Sequence, residues 1–303
     1  MMLDEDKTIF EYRMNKEKKY SDMIKEENLK DNIEKISYYS KHCGYIDGYI
    51  YRPESYDYKK ELPVVFNFHG GGMVLKYCEQ DGIYCQDIAN KVEVAVVNVD
   101  YAVAPEFKFP LPILSAYDFI DQVLEDSDKY QFQKDNVLLM GHSAGGYISA
   151  ALCVLNETNK KMTISGLIAD YAVLKQDTPP ASRESKDKDK AIPVSRMEEY
   201  YNWYFEKDED TTDPLASPIN AQGEIFPPSL VISADFDALK NEEEAFAEKL
   251  RASGVEVIYE NFTDSMHGFT HKWFDEFNEA QSRKAWKMMQ EFIQAQLISK
   301  DLD

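Results

Sequence analysis

Three short segments hold the residue types needed for nucleophilic chemistry. Ser143 lies in Gly141-His142-Ser143-Ala144-Gly145, a Gly-x-Ser-x-Gly pattern that follows Val137-Leu138-Leu139-Met140 and precedes a helix-compatible stretch from Tyr147 to Leu155. The apolar run predicts a buried strand, so the serine falls on a sharp strand-to-helix turn that exposes its hydroxyl. The flanking glycines avoid a Cβ that would collide with a neighbouring strand or helix. A serine hydroxyl is a weak nucleophile at neutral pH and needs a base, itself held by an acid. Of the five histidines, His267 stands in Asp264-Ser265-Met266-His267-Gly268-Phe269, after a predicted strand and before the last helix. That position is a loop at the carboxyl edge of a sheet, where ligand sites of open α/β folds lie. The rival bases are His271, which lacks the small Gly that follows His267, and His142, whose adjacency to the serine turns its side chain away. For the acid, Asp237 follows the strand Leu230 to Ile232, with Asp235 two residues earlier on the same loop. Geometry must choose between them.

A fourth segment, His69-Gly70-Gly71-Gly72, follows the strand Val64 to Phe68. Consecutive glycines let the backbone approach a substrate and turn N–H groups inward. Together with the N–H of Ala144, such donors can hold the negative oxygen of a tetrahedral intermediate, each worth about 3–4 kcal/mol of barrier. His69 itself is expected to brace the glycine loop by hydrogen bonding.

The elements that must position these residues follow an α/β rhythm. Strands are predicted at 64–68, 94–99, 137–140, 164–169, 230–232 and 255–259, and helices at 81–92, 114–124, 242–252 and 274–297. Short apolar strands alternating with helices imply a mostly parallel sheet covered on both faces. Ile46 to Tyr51 alternates weakly, as an antiparallel strand would. Residues 1 to about 40 are charged but carry a helical apolar spacing (Ile9, Phe10, Tyr12, Met14, Tyr20, Met23, Ile24), which predicts one or two amphipathic helices. Between 174 and 220 the rhythm breaks. Pro179-Pro180 and the charged run 182–190 predict a solvated, mobile loop, and Met197, Tyr200, Tyr201, Tyr204 and Phe205 form a helical stripe suited to core packing or to narrowing a pocket. An insertion that interrupts an α/β core before its last strands is a natural cap.

Composition bounds the rest. A chain of 303 residues with 44% hydrophobic content can bury one large core, or one core with an appendage. A net charge of -21 repels nucleic-acid phosphates and anionic lipid. The opening Met-Met-Leu-Asp-Glu-Asp-Lys is charged where a secretory leader needs an apolar core, and no run of eighteen apolar residues occurs. The four cysteines, Cys43, Cys78, Cys85 and Cys153, form no metal-site spacing, and Cys153 is expected as a buried thiol. The expectation is a soluble, cytoplasmic, reduced protein without metal or cofactor. Its partner would be a small molecule and neither nucleic acid nor membrane; a homodimer is allowed.

The chain resembles the hormone-sensitive-lipase-like family of α/β-hydrolase carboxylesterases. The resemblance rests on His69 to Gly72, on Asp100-Tyr101-Ala102-Val103-Ala104-Pro105-Glu106 with Phe109-Pro110, and on Gly141 to Gly146. It extends to Asp213 to Pro218, Asp237-Ala238-Leu239 with Glu242, and His267-Gly268-Phe269. The order Ser143, Asp237, His267 is also the order of that fold. The resemblance implies a helical cap built from 1–45 and 174–220 over a core formed by 46–173 and 221–303. It favours Asp237 as the acid, and Gly71 and Gly72 as the oxyanion donors beside Ala144. Asp100 and Glu106 are read as loop-pinning carboxylates. This chain carries His142, Met73, Ala238 and Ser115 where the family usually has Asp, an aromatic, Pro and a carboxylate; none of these removes a catalytic group. The implied activity is hydrolysis of short-chain acyl esters through a Ser-His-Asp triad, with rates falling beyond about six to eight acyl carbons. Two other classes share the fold: a prolyl-oligopeptidase-type peptidase or amidase, and a non-catalytic ligand binder.

Overall fold

The apolar runs form the centre of an eight-stranded sheet of order β1-β2-β4-β3-β5-β6-β7-β8. The computed structural model describes residues 4–25, 33–57, 59–77 and 80–298, so Cys78 and the extreme termini lie outside the described residues. Strands β1 (Glu34–Ser40) and β2 (Gly44–Tyr51) run antiparallel at one edge. Strands β3 (Leu62–Phe68), β4 (Ala95–Asp100), β5 (Phe132–His142), β6 (Ile164–Asp170), β7 (Ser229–Ala234) and β8 (Val257–Phe262) are parallel.

Alternate residues of each central strand feed opposite cores, which is why their buried stretches are mostly apolar. On one face Val64, Phe66, Phe68, Val97 and Leu139 pack with residues of α3 (Leu111–Glu125), α5 (Ala144–Asn159) and α7 (Lys240–Ala252). On the other, Val65, Val96, Leu138, Met140 and Ile168 pack with α2 (Gly82–Val92) and α8 (Glu279–Leu297). A one-turn helix, α4 (Ser127–Tyr130), leads into β5. Cys153 is buried, and burial pushes its thiol up to about 12. Among the described residues no helix is long and apolar enough to cross a membrane.

One expectation requires correction. Residues 34–40 are the edge strand β1 and not a continuation of the N-terminal helices, so among the described residues the helical part of 1–45 is α1 (Asp4–Lys25). In β1 only Ile36 and Ser40 are buried, too few inward positions to outweigh the surrounding charge in a periodicity reading. The run 182–190 is a loop with most of its residues exposed, as expected, and it is tethered at several points. Ser185 Oγ donates to Phe236 O at 2.6 Å, Lys186 pairs with Asp235 at 2.6 Å, and Arg183 Nε donates to Glu242 at 3.2 Å.

Helix α1 meets the rest of the chain through an arginine. Ile9 and Arg13 face inward, while the apolar Phe10 and Met14 are 54% and 53% exposed. Arg13 donates through Nε to Val74 O at 2.7 Å and through Nη2 to Ala104 O, and it pairs with Glu106 at 2.5 Å. Glu106 is thus a pinning carboxylate, and what it pins is α1. Arg13→Ala is expected to lower the unfolding free energy by about 2–3 kcal/mol, the usual worth of charge-assisted hydrogen bonds to buried carbonyls. Denaturant titration measures this, and a loss below about 0.5 kcal/mol would mean that the contact does not hold the helix.

Candidate active site

Ser143 occupies the turn between β5 and α5 with φ 54 and ψ -117. A non-glycine residue in such a region costs on the order of 1–3 kcal/mol, which its surroundings must offset. The Ser143 N–H donates to Asp170 O at 2.8 Å, anchoring the turn to the end of β6. The close approach of α5 to the sheet requires both flanking glycines. A Cβ on Gly141 would lie 2.2 Å from the carbonyl carbon of Gly145, and one on Gly145 would lie 1.9 Å from Phe68 O. Both obstacles are backbone, with no flexible side chain to yield.

The order β5-β6-β7-β8 brings the loops after β7 and β8 to the same rim as this turn. Asp237 lies on the first loop and His267 on the second. His267 Nδ1 donates to Asp237 Oδ2 at 2.5 Å, which leaves Nε2 to accept from the Ser143 hydroxyl at 2.8 Å. The other Asp237 oxygen accepts from Leu239 N at 3.1 Å, so the carboxylate is oriented from behind. Burial on its own pulls the imidazole down. The charge of Asp237 and its hydrogen bond outweigh that effect, and His267 ends above the ordinary histidine range. Asp235, the alternative acid, is instead paired with Lys186 at 2.6 Å and Lys240 at 3.3 Å.

The rival histidines have other partners. His142 Nδ1 donates to Asp170 Oδ2 at 2.8 Å, away from the Ser143 hydroxyl. His271 Nε2 donates to Asp81 Oδ1 at 2.9 Å, and its Nδ1 accepts from the Tyr171 hydroxyl at 2.8 Å. Burial keeps His271 below the ordinary range. Burial opposes ionisation of Asp81, but its hydrogen bond with His271 and nearby imidazole charge bring that carboxyl to about 2. This buried network braces the floor of the site. Asp81 and Asp170 carried no motif of their own in the sequence.

The glycine loop after β3 lies against the nucleophile: a Cβ on Gly70 would be 3.5 Å from Ser143 Cβ. Gly71 and Gly72 have φ of 128 and 61. Side chains there would meet Leu75 Cβ and the Tyr200 ring, each at 2.6 Å. His69 is buried, stacks on Tyr101 at 4.4 Å between centroids and donates from Nδ1 to Gly70 O at 2.8 Å. The Tyr101 hydroxyl donates to His69 O at 2.9 Å, so the loop is held from both sides.

Two compartments meet at Ser143. The larger, about 420 Å³, is bordered by His267, Gly71, Tyr12, Arg196 and Phe274. The smaller, about 50 Å³, is bordered by Ala144, Met73, Val173, Gln176, Met197 and Tyr201. Gly72, Ile192 and Tyr200 border both. The aromatic stripe of α6 (Val194–Tyr204) therefore divides its work: Tyr204 and Phe205 are core, while Tyr200 and Tyr201 face the cavities. Above the site α1 and α6 join, with Tyr12 hydrogen-bonded to Tyr200 and Arg196 lying 4.0 Å over the Tyr12 ring. Sequence reasoning did not single out Arg196, Ile192 or Gln176, because nothing local marks a residue as facing a cavity built from distant segments.

A family model described as alpha/beta hydrolase fold matches residues 65–271. The chain is similar to an esterase of Pyrobaculum calidifontis, with 30% identity and a TM-score of 0.85 over 95% of this chain and 93% of that one. It is similar to the thermophilic and thermostable carboxylesterase EstE1 from a metagenomic library, with 26% identity and a TM-score of 0.81 over 95% and 97% of the two chains. An arylesterase of Saccharolobus solfataricus is 29% identical over 209 residues, 68% of this chain and 68% of its own length. The chain spans about two thirds of the length of the curated relatives it matches, 62% for a mimivirus protein. With this fold and these relatives, the chain belongs to the α/β-hydrolase fold family, in its hormone-sensitive-lipase-like branch of carboxylic ester hydrolases.

Proposed function

We propose that the protein hydrolyses esters of short acyl chains through a Ser143-His267-Asp237 triad and an acyl-enzyme. The observation that carries this reading is His267 placed between its two partners, 2.8 Å from Ser143 Oγ and 2.5 Å from Asp237 Oδ2. Ser143 Oγ attacks the carbonyl carbon and its proton passes to His267 Nε2. As the tetrahedral intermediate collapses, the bond to the alcohol oxygen breaks and His267 returns the proton to that oxygen. Water then attacks the acyl carbon, gives a proton to His267, and Ser143 leaves as the alcohol with that proton. Asp237 orients the imidazole and balances its transient charge. The N–H groups of Gly71, Gly72 and Ala144 receive the oxyanion. Helix α1 and the stretch 174–220 act as the cap over the site.

The placement of His267 also orients the substrate. The leaving oxygen must lie beside the group that protonates it, and His267 borders the larger compartment alone. The alcohol therefore occupies the larger compartment and the acyl chain the smaller. An atom the size of a water claims about 10–15 Å³ of such space, so a compartment of about 50 Å³ takes roughly three to five heavy atoms beyond the carbonyl. This is tighter than the chain alone suggested. Across p-nitrophenyl esters of increasing length, kcat/KM is expected to fall by tenfold or more beyond about six acyl carbons, because longer chains must displace packed side chains. A steady rise through long chains would overturn the assignment of the compartments.

A further inference from the structure

We propose that the acyl group this enzyme selects carries a hydrogen-bonding oxygen near its far end, recognised by Gln176. The inference rests on the esterase reading above and names its substrate class. The small compartment is lined mostly by apolar groups: Met73, Val173, Met197 and Leu239. Gln176 also borders it, only 5% exposed, and its Nε2 is fully buried with no hydrogen-bond partner. A buried amide left unpaired is costly, and nearly all such groups find a partner.

A second polar group on this wall, Arg183, is already committed. Arg183 Nε donates to Glu242 Oε2 at 3.2 Å and its Nη2 donates to Lys175 O at 2.7 Å. That pairing leaves Arg183 engaged, whereas the Gln176 amide nitrogen is buried with nothing to bind. A simple alkanoyl chain would leave it unpaired in every Michaelis complex, whereas an acyl chain with a hydroxyl or oxo oxygen would satisfy it. The size of the compartment places that oxygen within about four atoms of the ester carbonyl. A hydroxyl, which both donates and accepts, suits the amide in either orientation.

The test uses an isosteric pair, p-nitrophenyl 3-hydroxybutanoate and p-nitrophenyl 3-methylbutanoate, which differ by a hydroxyl in place of a methyl. Both are measured on the same preparation, so the fraction of active enzyme cancels in the ratio of kcat/KM values. In the unmodified protein the ratio is expected to favour the hydroxy ester after correction for the relative rates of the two esters with hydroxide. In Gln176→Met and in Gln176→Leu the ratio is expected to fall about tenfold. Two apolar replacements of different shape separate loss of the hydrogen bond from a change of fit. A ratio unmoved in both, or moved in only one, overturns the proposal while the esterase reading stands. Hydrolysis of neither ester by the unmodified protein overturns both.

Discussion

Ser143→Ala is expected to lower ester hydrolysis by about 10⁴- to 10⁶-fold, the scale on which triad nucleophiles act. The substitution removes one oxygen and leaves the backbone turn, with its N–H on Asp170 O, in place. Folding should therefore be unaffected, and the thermal midpoint should stay close to that of the unmodified protein. Any remaining turnover would come from binding and oxyanion donors that still polarise the carbonyl toward water. The measurement is steady-state hydrolysis of p-nitrophenyl acetate, with mass spectrometry of the phosphonylated protein as a second readout. A fluorophosphonate should add one group to the unmodified chain and none to the variant. Activity within tenfold of the unmodified protein would remove Ser143 from the mechanism.

Asp237→Asn should cost about 10³- to 10⁴-fold near neutral pH and also displace the pH profile. The free imidazole is the base, so activity disappears as pH falls through the His267 pKa. Burial pulls that pKa down, but Asp237 overrides it through charge and hydrogen bonding, so it lies above the ordinary value of about 6.5. The acid limb of kcat/KM in the unmodified protein should accordingly fall above pH 6.5. Removing the carboxylate leaves burial acting on its own, and the limb should move to lower pH even as the plateau drops. Asp235→Asn is the matched comparison. Its carboxylate pairs with Lys186 and Lys240 and is not within reach of His267, so its loss should change kcat by less than about threefold. Equal losses in the two variants would refute the choice of acid.

These expectations draw on features of unequal legibility. Strands β3 to β7 could be read directly, because a strand buried on both faces needs a nearly continuous apolar run. The serine turn was equally plain, since close contact of α5 with β5 forces glycine at 141 and its contact with β3 forces glycine at 145. Edge strand β1 was misread as helix. With one face to solvent and Ile36 as its single buried apolar side chain, its pattern is drowned by neighbouring charge. Helix α1 was read correctly as a helix, yet its inward face includes Arg13 while Phe10 and Met14 point out. The partners that reverse the usual preference, Val74 O, Ala104 O and Glu106, lie some sixty to ninety positions along the chain.

Local covalent order was enough to specify which chemical groups are present, their spacing after strands, and the α/β architecture. These follow from short-range sterics and from periodic burial. The hydrogen bond that ties Asp237 and not Asp235 to His267, the diversion of His142 and His271 into a buried network, and the unpaired amide of Gln176 on the compartment that Ser143 also borders came only with the folded chain. Each depends on which atoms from remote segments end within about 3 Å of one another, and hydrogen bonding at that range is decided by three-dimensional packing and not by neighbours in sequence.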